Sequence, residues 1–488
     1  MAKRTAIIDL GSNSARMAVY ERTSRYGFHL IKELKSRVRI GEGAYEKGGI
    51  LQPRALKRTL LTLQAFHRTC HALKCHKILC VATSALRDAP NGSEFVKEIY
   101  RKTGLNVKII EGTQEAYFGA VAATNLLPKF DEVTTVDIGG GSTELAKIIN
   151  GKITQTLSLD MGTVRLKELF FDTKKPISAL NSFLEDTIAS IPNSFCSPIL
   201  IGIGGTLRAL SNALMEKKSY PLKTVHGFKY SAKEHHAWID AIAHSSVRDL
   251  KPYGFKKERL DTIREGCAIF AKLIPALKAQ SIVSSGAGVR EGVFLSNLLK
   301  STNGQLPTNF NPSIKSLTDR FSSTPKNDNY IASIAGKLFD TLEPLHKVDA
   351  KYKPSLLIAG KLHAIGRSLS FYQEHLHGFY FILNNLNFGF THQEKLLIAL
   401  LVKTNHHKLP TFADLEEFGE LLPDGDIVNW LSFILAFAKS LDVDYSMPKV
   451  TLTYENHTLH VKSEDELYLA KEATKKLVKP TPFAIAFR

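Results

Sequence analysis

Residues 8–16 read IDLGSNSAR, and residues 136–144 read VDIGGGSTE. Each copy is an apolar strand that ends in a carboxylate, Asp9 or Asp137, and then enters a tight polar turn. Small residues in such a turn let backbone N–H groups approach phosphate oxygens, while the aspartate can hold a hydrated divalent cation beside them. A single Asp-x-Gly turn is weak evidence, since most such turns only end a strand. The repetition, with Ser14 and Ser142 in matching places, predicts two related domains that face one phosphate-binding cleft.

Further short motifs follow in order through residue 300 or so. They are VATSALRDA at 81–89, IEGTQEA at 110–116, GIGGT at 202–206 and SGAGVREG at 285–292. Together with DIGGGSTE at 137–144, they resemble the signature of the exopolyphosphatase/guanosine-pentaphosphate phosphohydrolase (Ppx/GppA) family. The resemblance implies an α/β fold of the actin/sugar-kinase/heat-shock-chaperone superfamily, in which two ribonuclease-H-like domains hinge about a cleft.

We predict four segments: ribonuclease-H-like domain I at 1–124, ribonuclease-H-like domain II at 125–305, an all-α HD-like domain at 306–445 and a small α+β tail at 446–488. The boundary before the third segment lies near residues 300–325, where the stretches at 301–309 and 322–329 are polar and contain proline. Its histidines resemble the HD-phosphohydrolase-like domain of long family members. A working HD site has an aspartate ligand after the histidine, whereas here Ala364 follows His363. This departure at Ala364 favours a degenerate, structural version of that domain. Its histidines are His346, His363, His375, His377, His406 and His407.

Local patterns place the motifs on elements. They predict a strand and hairpin over 5–19, a helix over 56–73 and strands at 77–83 and 107–110. Asn91 with Glu94 three residues later predicts a capping box for a helix that Gly104 ends, and Thr113 is the predicted N-cap of the next helix. In the tail, a hairpin spans 450–461 and a helix spans 467–477. The tail either lengthens a basic channel or holds a homodimer together, and the sequence leaves both open.

The charge balance indicates a polyanionic partner. The 488 residues include 64 Lys plus Arg against 47 Asp plus Glu, a formal net charge of +17. Such a field attracts polyanions, but the sequence has no zinc finger, basic zipper or RNP pattern, so nucleic acid is not favoured. No apolar stretch reaches the roughly 18 residues needed to span a bilayer, and five cysteines without metal spacing are expected to be reduced. These features predict a cytoplasmic protein without a membrane partner.

Glu115 is the predicted general base. A carboxylate in the first turn of a helix is commonly only a partner for the helix dipole, and position alone favours that role and the ionised form. The resemblance favours catalysis, because Glu115 falls where the family's proposed base lies. Such a carboxylate orients water in line with a terminal phosphorus and takes its proton. Arg87 is the predicted catalytic cation, although an arginine after a strand more often makes a surface ion pair.

A metaphosphate-like transition state spreads negative charge over its equatorial oxygens, so cations and backbone donors supply most of the stabilisation. Mg²⁺ needs only one or two protein carboxylates beside its waters, and we predict Asp137 and Glu144 as its ligands, with Asp9 facing them. For the loop at 202–208, tight strand-to-helix packing explains the glycines as well as substrate binding does. The predicted phosphate-binding residues are Ser12, Asn13, Ser14, Gly139, Gly140, Gly141, Ser142, Gly204, Gly205, Arg208 and Arg290.

Taken together, these motifs and residues predict the function of the protein. It is a Mg²⁺-dependent phosphohydrolase that removes terminal phosphate from inorganic polyphosphate, the 5′ γ-phosphate from guanosine pentaphosphate, or both. One alternative is a phosphotransferase of the same superfamily, which would need a closed acceptor pocket and a catalytic aspartate. The other is a non-catalytic polyphosphate or alarmone sensor, which would not require the carboxylates Glu115 and Glu144.

Overall fold

The computed structural model describes residues 3–44, 47–173, 175–404 and 409–488, with the side chains of residues 412 and 414 left out. It divides into two compact units, Met1–Phe310 and Asn311–Arg488. The division falls close to the 305/306 boundary that the sequence predicts. The other predicted domain boundaries stay predictions.

The first half of the first unit is built on a five-stranded sheet. Its strands run in the order β3-β2-β1-β4-β5, with β1 antiparallel to β2 and parallel to β4. Apolar side chains on its faces, among them Ile8 and Met17, are fully buried against the helix over 53–72. The elements are β1 (Arg4–Leu10), β2 (Ala15–Arg22), β3 (Phe28–Ser36), α1 (Pro53–Ala72), β4 (Lys77–Ala82), α2 (Ser84–Arg87), α3 (Gly92–Thr103), β5 (Val107–Ile109) and α4 (Gly112–Leu126).

The second half repeats this arrangement. The elements are β6 (Glu132–Ile138), β7 (Thr143–Ile149), β8 (Lys152–Leu159), α5 (Thr163–Leu166), α6 (Ile177–Ala189), β9 (Ile199–Ile203), α7 (Gly204–Lys217), β10 (Lys229–Ser231), α8 (Ala232–His244), α9 (Ile263–Ala276), β11 (Ser281–Ser284) and α10 (Val289–Leu298). Strands β8-β7-β6-β9-β11 match the order of β3-β2-β1-β4-β5, and β10 adds an antiparallel edge. The two matching sheets confirm the predicted pair of ribonuclease-H-like domains.

Two helices tie the halves together. The alanines of α4, such as Ala116 and Ala120, belong to the same buried cluster as Ile148 and Ile201 of the second sheet. Helix α10 lies against α4 so closely that a Cβ on Gly292 would fall 1.8 Å from the carbonyl oxygen of Phe118. Helix α4, which the sequence assigns to domain I, thus packs on the sheet of domain II.

The structure confirms some of the local predictions and contradicts others. Helix α3 ends at Gly104 with a φ of +71°, as predicted. The predicted capping box is wrong, because the side chain of Asn91 exchanges two 3.0 Å hydrogen bonds with the backbone of Leu51 and does not cap the helix. The predicted N-cap at Thr113 is also wrong: helix α4 begins at Gly112, with Glu111 at its N-cap position and no side-chain cap.

The second unit is mainly helical. Its elements are α11 (Pro312–Phe321), α12 (Pro325–Thr341), α13 (Glu343–His346), α14 (Lys353–Leu362), α15 (Glu374–Asn385), α16 (His392–Lys403), α17 (Phe412–Glu416), α18 (Gly425–Leu441), β12 (Val450–Glu455), β13 (Thr458–Ser463), α19 (Tyr468–Thr474) and β14 (Ala484–Phe487). Strands β12, β13 and β14 form a small sheet in that order. The sequence patterns do not predict its last strand, β14. Val461 of this sheet and Trp430 of α18 share one hydrophobic core. The tail is therefore packed into the helical domain.

Two of the predicted histidines, His346 and His363, form hydrogen bonds with the backbone. In His346, Nε2 donates to the carbonyl oxygen of Phe339 and Nδ1 accepts from the N–H of Val348, both at 2.8 Å. In His363, Nδ1 donates to the carbonyl oxygen of Gly360 at 2.8 Å. His375 and His377 are half-buried, while His406 and His407 lie outside the described residues. In the described part of the chain, no helix is long and apolar enough to cross a membrane.

Candidate active site

A cavity of about 140 Å³ lies in the first unit where the strands of the two sheets end. Strands β1 and β6 bring Asp9 and Asp137 to it, and their following turns form its floor. Helix α4 adds Glu115, and the start of α7 adds Arg208. The predicted site residues that line the cavity are Asp9, Ser12, Asn13, Ser14, Glu115, Asp137, Gly139, Gly140, Ser142, Gly204, Gly205, Arg208 and Arg290.

Three predicted residues lie behind this lining. Arg87 donates from Nη1 to the carbonyl oxygen of Ile110 at 3.1 Å, and the same nitrogen lies 3.6 Å from Oε2 of Glu115. Gly141 accepts a 2.8 Å hydrogen bond at its carbonyl oxygen from Nε of Arg165. Glu144 is 1% exposed, with Oε1 accepting from the hydroxyl of Ser158 at 3.1 Å. In this structure they support the cavity wall, and Arg87 backs the glutamate.

The two phosphate-loop candidates nearly touch each other. A Cβ on Gly140 would lie 2.8 Å from Cβ of Ser12 and 3.4 Å from the backbone nitrogen of Asn13. Glycine is therefore required here for close approach of the loops, whereas its φ is ordinary. The N–H of Gly139 donates to the carbonyl oxygen of Ser142 at 2.9 Å, so this amide closes the turn and is not offered to the cavity.

Acidic groups of the site raise one another's pKa. Burial raises the pKa of Asp137 to about 6, against the opposing effect of Arg208. Burial also raises the pKa of Glu144 to about 8, opposed by its hydrogen bonds to Ser142 and Ser158. For Asp9 burial raises the pKa, while Arg290 and Arg16 lower it. The site therefore brings together carboxylates whose ionised forms a nearby positive charge would stabilise.

Both burial and neighbouring negative charges act on Glu115. Burial raises its pKa well above the usual range, and the negative charges of Glu144, Asp137 and Asp9 raise it further, with Arg87 opposing them. The sequence predicts that the helix N-terminus keeps this group ionised; burial and like charges act in the opposite direction. Its Oε2 is buried without a hydrogen-bond partner among the described residues.

The residues present suit a hydrated magnesium ion better than a closed protein cage. Among the residues that the structure describes, no three His, Cys, Asp or Glu side chains form a metal-binding group. However, Oε2 of Glu144 is buried and has no hydrogen-bond partner in the same part of the chain. The half-buried Asp137 lies close enough to raise the pKa of Glu144. Carboxylates in this state fit an ion that keeps most of its waters and takes one or two protein ligands.

The structure adds cations and hydroxyls that the sequence reasoning missed. Arg16 and Arg259 line the cavity, and a Cβ on Gly205 would lie 2.4 Å from the guanidinium of Arg259. Arg16 lies within the repeated motif and pairs with Asp9 across β1 and β2, so its place in the sequence indicates a position near the site. No local feature of the sequence indicates that Arg259 lies there. The hydroxyl-bearing residues added to the lining are Thr83, Ser84, Thr163, Thr206 and Thr262.

The predicted cations Arg208 and Arg290 are held by neighbours. Arg208 donates to the carbonyl oxygen of Gly286 at 2.8 Å, and burial beside other arginines lowers its pKa to about 10. Arg290 is 7% exposed and pairs at 2.6 Å with Oε1 of Glu33 on β3. Glu291 next to it accepts from the hydroxyl of Tyr20. These bonds join the start of α10 to the first sheet and fix the cavity wall.

Paired ribonuclease-H-like domains of the actin-like fold, with carboxylates, two small-residue turns and arginines in one cleft, are typical of proteins that act on phosphoryl groups. The chain belongs to the Ppx/GppA phosphatase family, whose model matches residues 18–301. A second model, Ppx/GppA phosphatase domain III, matches residues 311–477. This family is one of phosphatases, which are hydrolases, and the helical domain with most of the tail is its third domain.

Solved structures agree with this assignment. The chain is similar to the Ppx/GppA family member of Aquifex aeolicus, at 28% identity and a TM-score of 0.53, over 62% of this chain and 99% of that one. It is also similar in fold to an exopolyphosphatase from Cytophaga hutchinsonii, at 21% identity and a TM-score of 0.56, over 62% of this chain and 100% of that one.

Proposed function

We propose that this protein is a Mg²⁺-dependent phosphohydrolase that releases terminal phosphate from inorganic polyphosphate, the 5′ γ-phosphate from guanosine pentaphosphate, or both. The observation that carries the proposal is the buried Oε2 of Glu115, which has no hydrogen-bond partner among the described residues and belongs to a side chain that lines the cavity with both phosphate loops. Family membership supports the reaction class, and the net charge of +17 supports a polyanionic substrate.

Glu115 acts in this proposal as the general base. A carboxylate oxygen that accepts no hydrogen bond from the described residues can accept one from water and then take its proton. Burial and the neighbouring carboxylates raise the pKa of Glu115, which makes its ionised form a stronger proton acceptor. Arg87, whose Nη1 lies 3.6 Å from Oε2 of Glu115, is the positioning residue that holds this side chain.

The loops and arginines take the negative charge of the reacting group. Ser12, Asn13 and Gly140 offer small side chains and backbone around the cavity, and Arg208 and Arg16 bring positive charge to it. Groups that are already fixed in a partly water-excluded cleft stabilise charge without reorganising during the reaction. In this proposal a terminal phosphate binds beside the two loops and faces Glu115.

Asp137 and Glu144 would hold the Mg²⁺ ion, directly or through its waters, with Asp9 facing them. When bound, the ion supplies positive charge that neutralises phosphate oxygens and lowers the barrier to attack. Gly204 supports this role of Asp137, because a Cβ there would fall 2.4 Å from Oδ1 and push the carboxylate away.

Phosphate release by the purified protein tests the proposal. Long-chain polyphosphate and guanosine pentaphosphate are offered in parallel with Mg²⁺, at matched phosphate concentration. We expect Glu115→Gln to lower kcat by about 10²- to 10⁴-fold, the range for loss of a general base, while equilibrium binding of substrate persists. The control is Glu111→Gln, which removes an exposed carboxylate four positions earlier. Full activity of Glu115→Gln removes it from the base role, and binding without release by the wild type identifies a sensor.

A further inference from the structure

The rim of the cavity carries a clasp between the two domains of the first unit. Asp261, in the segment just before α9, pairs through Oδ1 with Arg37 at 2.5 Å and through Oδ2 with Arg39 at 3.0 Å. Arg37 also donates to the carbonyl oxygen of Glu258 at 2.8 Å. Both arginines follow strand β3 of the opposite domain. One carboxylate thus accepts a guanidinium at each of its oxygens across the cleft.

This clasp is connected to the cavity on both sides. On the first side, the N–H of Arg39 donates to the carbonyl oxygen of Asn13 at 2.9 Å, so the arginine segment supports the first phosphate loop. On the second side, Asp261 lies between Arg259 and Thr262, which both line the cavity. The charges of Arg37 and Asp261 both act on Arg259, so the clasp lies near this side of the cavity.

The rim around the clasp has an excess of positive charge. Lys35 on β3 lies opposite Arg16 on β2. Burial lowers the pKa of Lys35 to about 8, and the positive charges of Arg16, Arg259, Arg37 and Arg208 lower it further. The rim also has acidic groups besides Asp261. Glu258 acts on Arg259, and Glu42 lies 3.6 Å from Arg39 and 2.6 Å from Arg58.

An arginine pair that holds a carboxylate is also suited to phosphate, because the guanidinium donates to either group in the same planar geometry. A phosphate chain presents such a group at every unit and is more highly charged than a single aspartate. The side chains of Arg37, Arg39 and Asp261 are 33%, 41% and 29% exposed, so solvent and a ligand can reach the pair.

We propose that Asp261 is an internal competitor for substrate, whose carboxylate occupies an anion position between Arg37 and Arg39 that a phosphate group of a chain extending out of the cleft takes in its place. The inference rests on the proposed function for the identity of the anion. A short substrate that ends inside the cleft leaves the clasp closed, and a long one opens it. Asp261 thereby sets how strongly the protein favours long chains over short ones.

The test compares Asp261→Asn with Glu258→Gln. Both variants remove one negative charge from the same segment. Only Asp261→Asn removes the carboxylate that pairs with Arg37 and Arg39, because Glu258 bonds to Arg37 through its backbone carbonyl and not through its side chain. Equilibrium binding of long-chain polyphosphate and of tripolyphosphate is measured by calorimetry in EDTA, where turnover is prevented. KM and kcat for both are then measured with Mg²⁺, and thermal denaturation checks folding.

We expect Asp261→Asn to tighten binding of the long chain about three- to tenfold, since each of the two exposed ion pairs of Asp261 competes with the chain and weakens its binding by a factor of up to about five. The effect on tripolyphosphate is expected to be less than twofold, and Arg37→Gln is expected to weaken long-chain binding. Weaker binding of both ligands by Asp261→Asn, or an equal gain in Glu258→Gln, overturns the inference. If the wild type releases no phosphate, the proposed function fails while the binding comparison still decides the role of Asp261.

Discussion

Substituting Gly204 with alanine tests whether α7 positions the carboxylate of Asp137. Gly204 begins α7 with a φ of +88°, and a Cβ there would lie 2.4 Å from Oδ1 of Asp137 and 3.3 Å from the carbonyl oxygen of Ile138. Carbon and oxygen atoms normally approach to about 3.3 Å, so the carboxylate must move by about 1 Å. A displacement of this size in a catalytic constellation costs about 100-fold in rate. The positive φ adds about 1–2 kcal/mol of backbone strain.

We therefore expect Gly204→Ala to lower kcat/KM for polyphosphate about 100-fold, to require more Mg²⁺ and to unfold at lower temperature. Phosphate release across a Mg²⁺ titration and thermal denaturation measure these effects. Gly104→Ala is the matched control, because Gly104 has a φ of +71° and a Cβ there meets nothing within 4 Å. The control should lose stability and keep its rate. The reasoning is refuted if Gly204→Ala works at the wild-type rate and Mg²⁺ requirement, or if Gly104→Ala loses as much activity.

Three further outcomes are expected. Asp137→Asn should raise the Mg²⁺ concentration for half-maximal phosphate release steeply, and an unchanged requirement would place the ion elsewhere. Gly140→Ala should lower binding of tripolyphosphate in calorimetry, because the added Cβ lies 2.8 Å from Cβ of Ser12 and forces the loops apart; unaltered binding would mean that the loops yield without cost. The KM for polyphosphate should rise as pH increases through about 8, where Lys35 loses its charge. Lys35→Met should flatten that profile, and the same slope in both proteins would exclude Lys35.

The repeated turns were predictable because their geometry is local. Asp9 and Asp137 each end a strand that is parallel to a neighbour, and such strands bring their carboxyl ends to one edge of a sheet. Ser12 and Gly140 follow within a few residues, so their place in the cavity required no knowledge of the rest of the chain. This is why the sequence indicated the two loops and the carboxylates above them.

Arginine roles were less predictable because they depend on distant partners. Arg87 belongs to a motif, yet its guanidinium bonds to the carbonyl of Ile110 and backs Glu115. Arg259 lies far along the chain from both loops, and only the packing of the segment before α9 places it beside Gly205. A side chain with several rotatable bonds can serve a cavity, a helix end or an ion pair, and local sequence does not choose among them.

Asn91 shows how a tertiary bond overrides a local pattern. The spacing of Asn91 and Glu94 fits a capping box, which is worth about 1 kcal/mol. In the folded protein the amide of Asn91 both donates to and accepts from the backbone of Leu51, which is fully buried. Leaving buried backbone groups unpaired costs at least as much as a cap contributes. Asn91 therefore forms hydrogen bonds with the backbone of the loop before α1, and α3 begins without a side-chain cap.

The acidic side chains clustered at the cavity indicate that the fold tolerates a local loss of stability at a site used for chemistry. Glu115, Glu144, Asp137 and Asp9 each have a raised pKa, first because of burial. Apolar groups of similar size would pack there without that penalty. Positive charge from Arg87 on one side and from other arginines on the other offsets only part of it. Carboxylates with strongly raised pKa values are typical of functional sites. Their position beside the two predicted phosphate-binding loops favours a reaction that uses both a cation and a base, which is the hydrolysis proposed above.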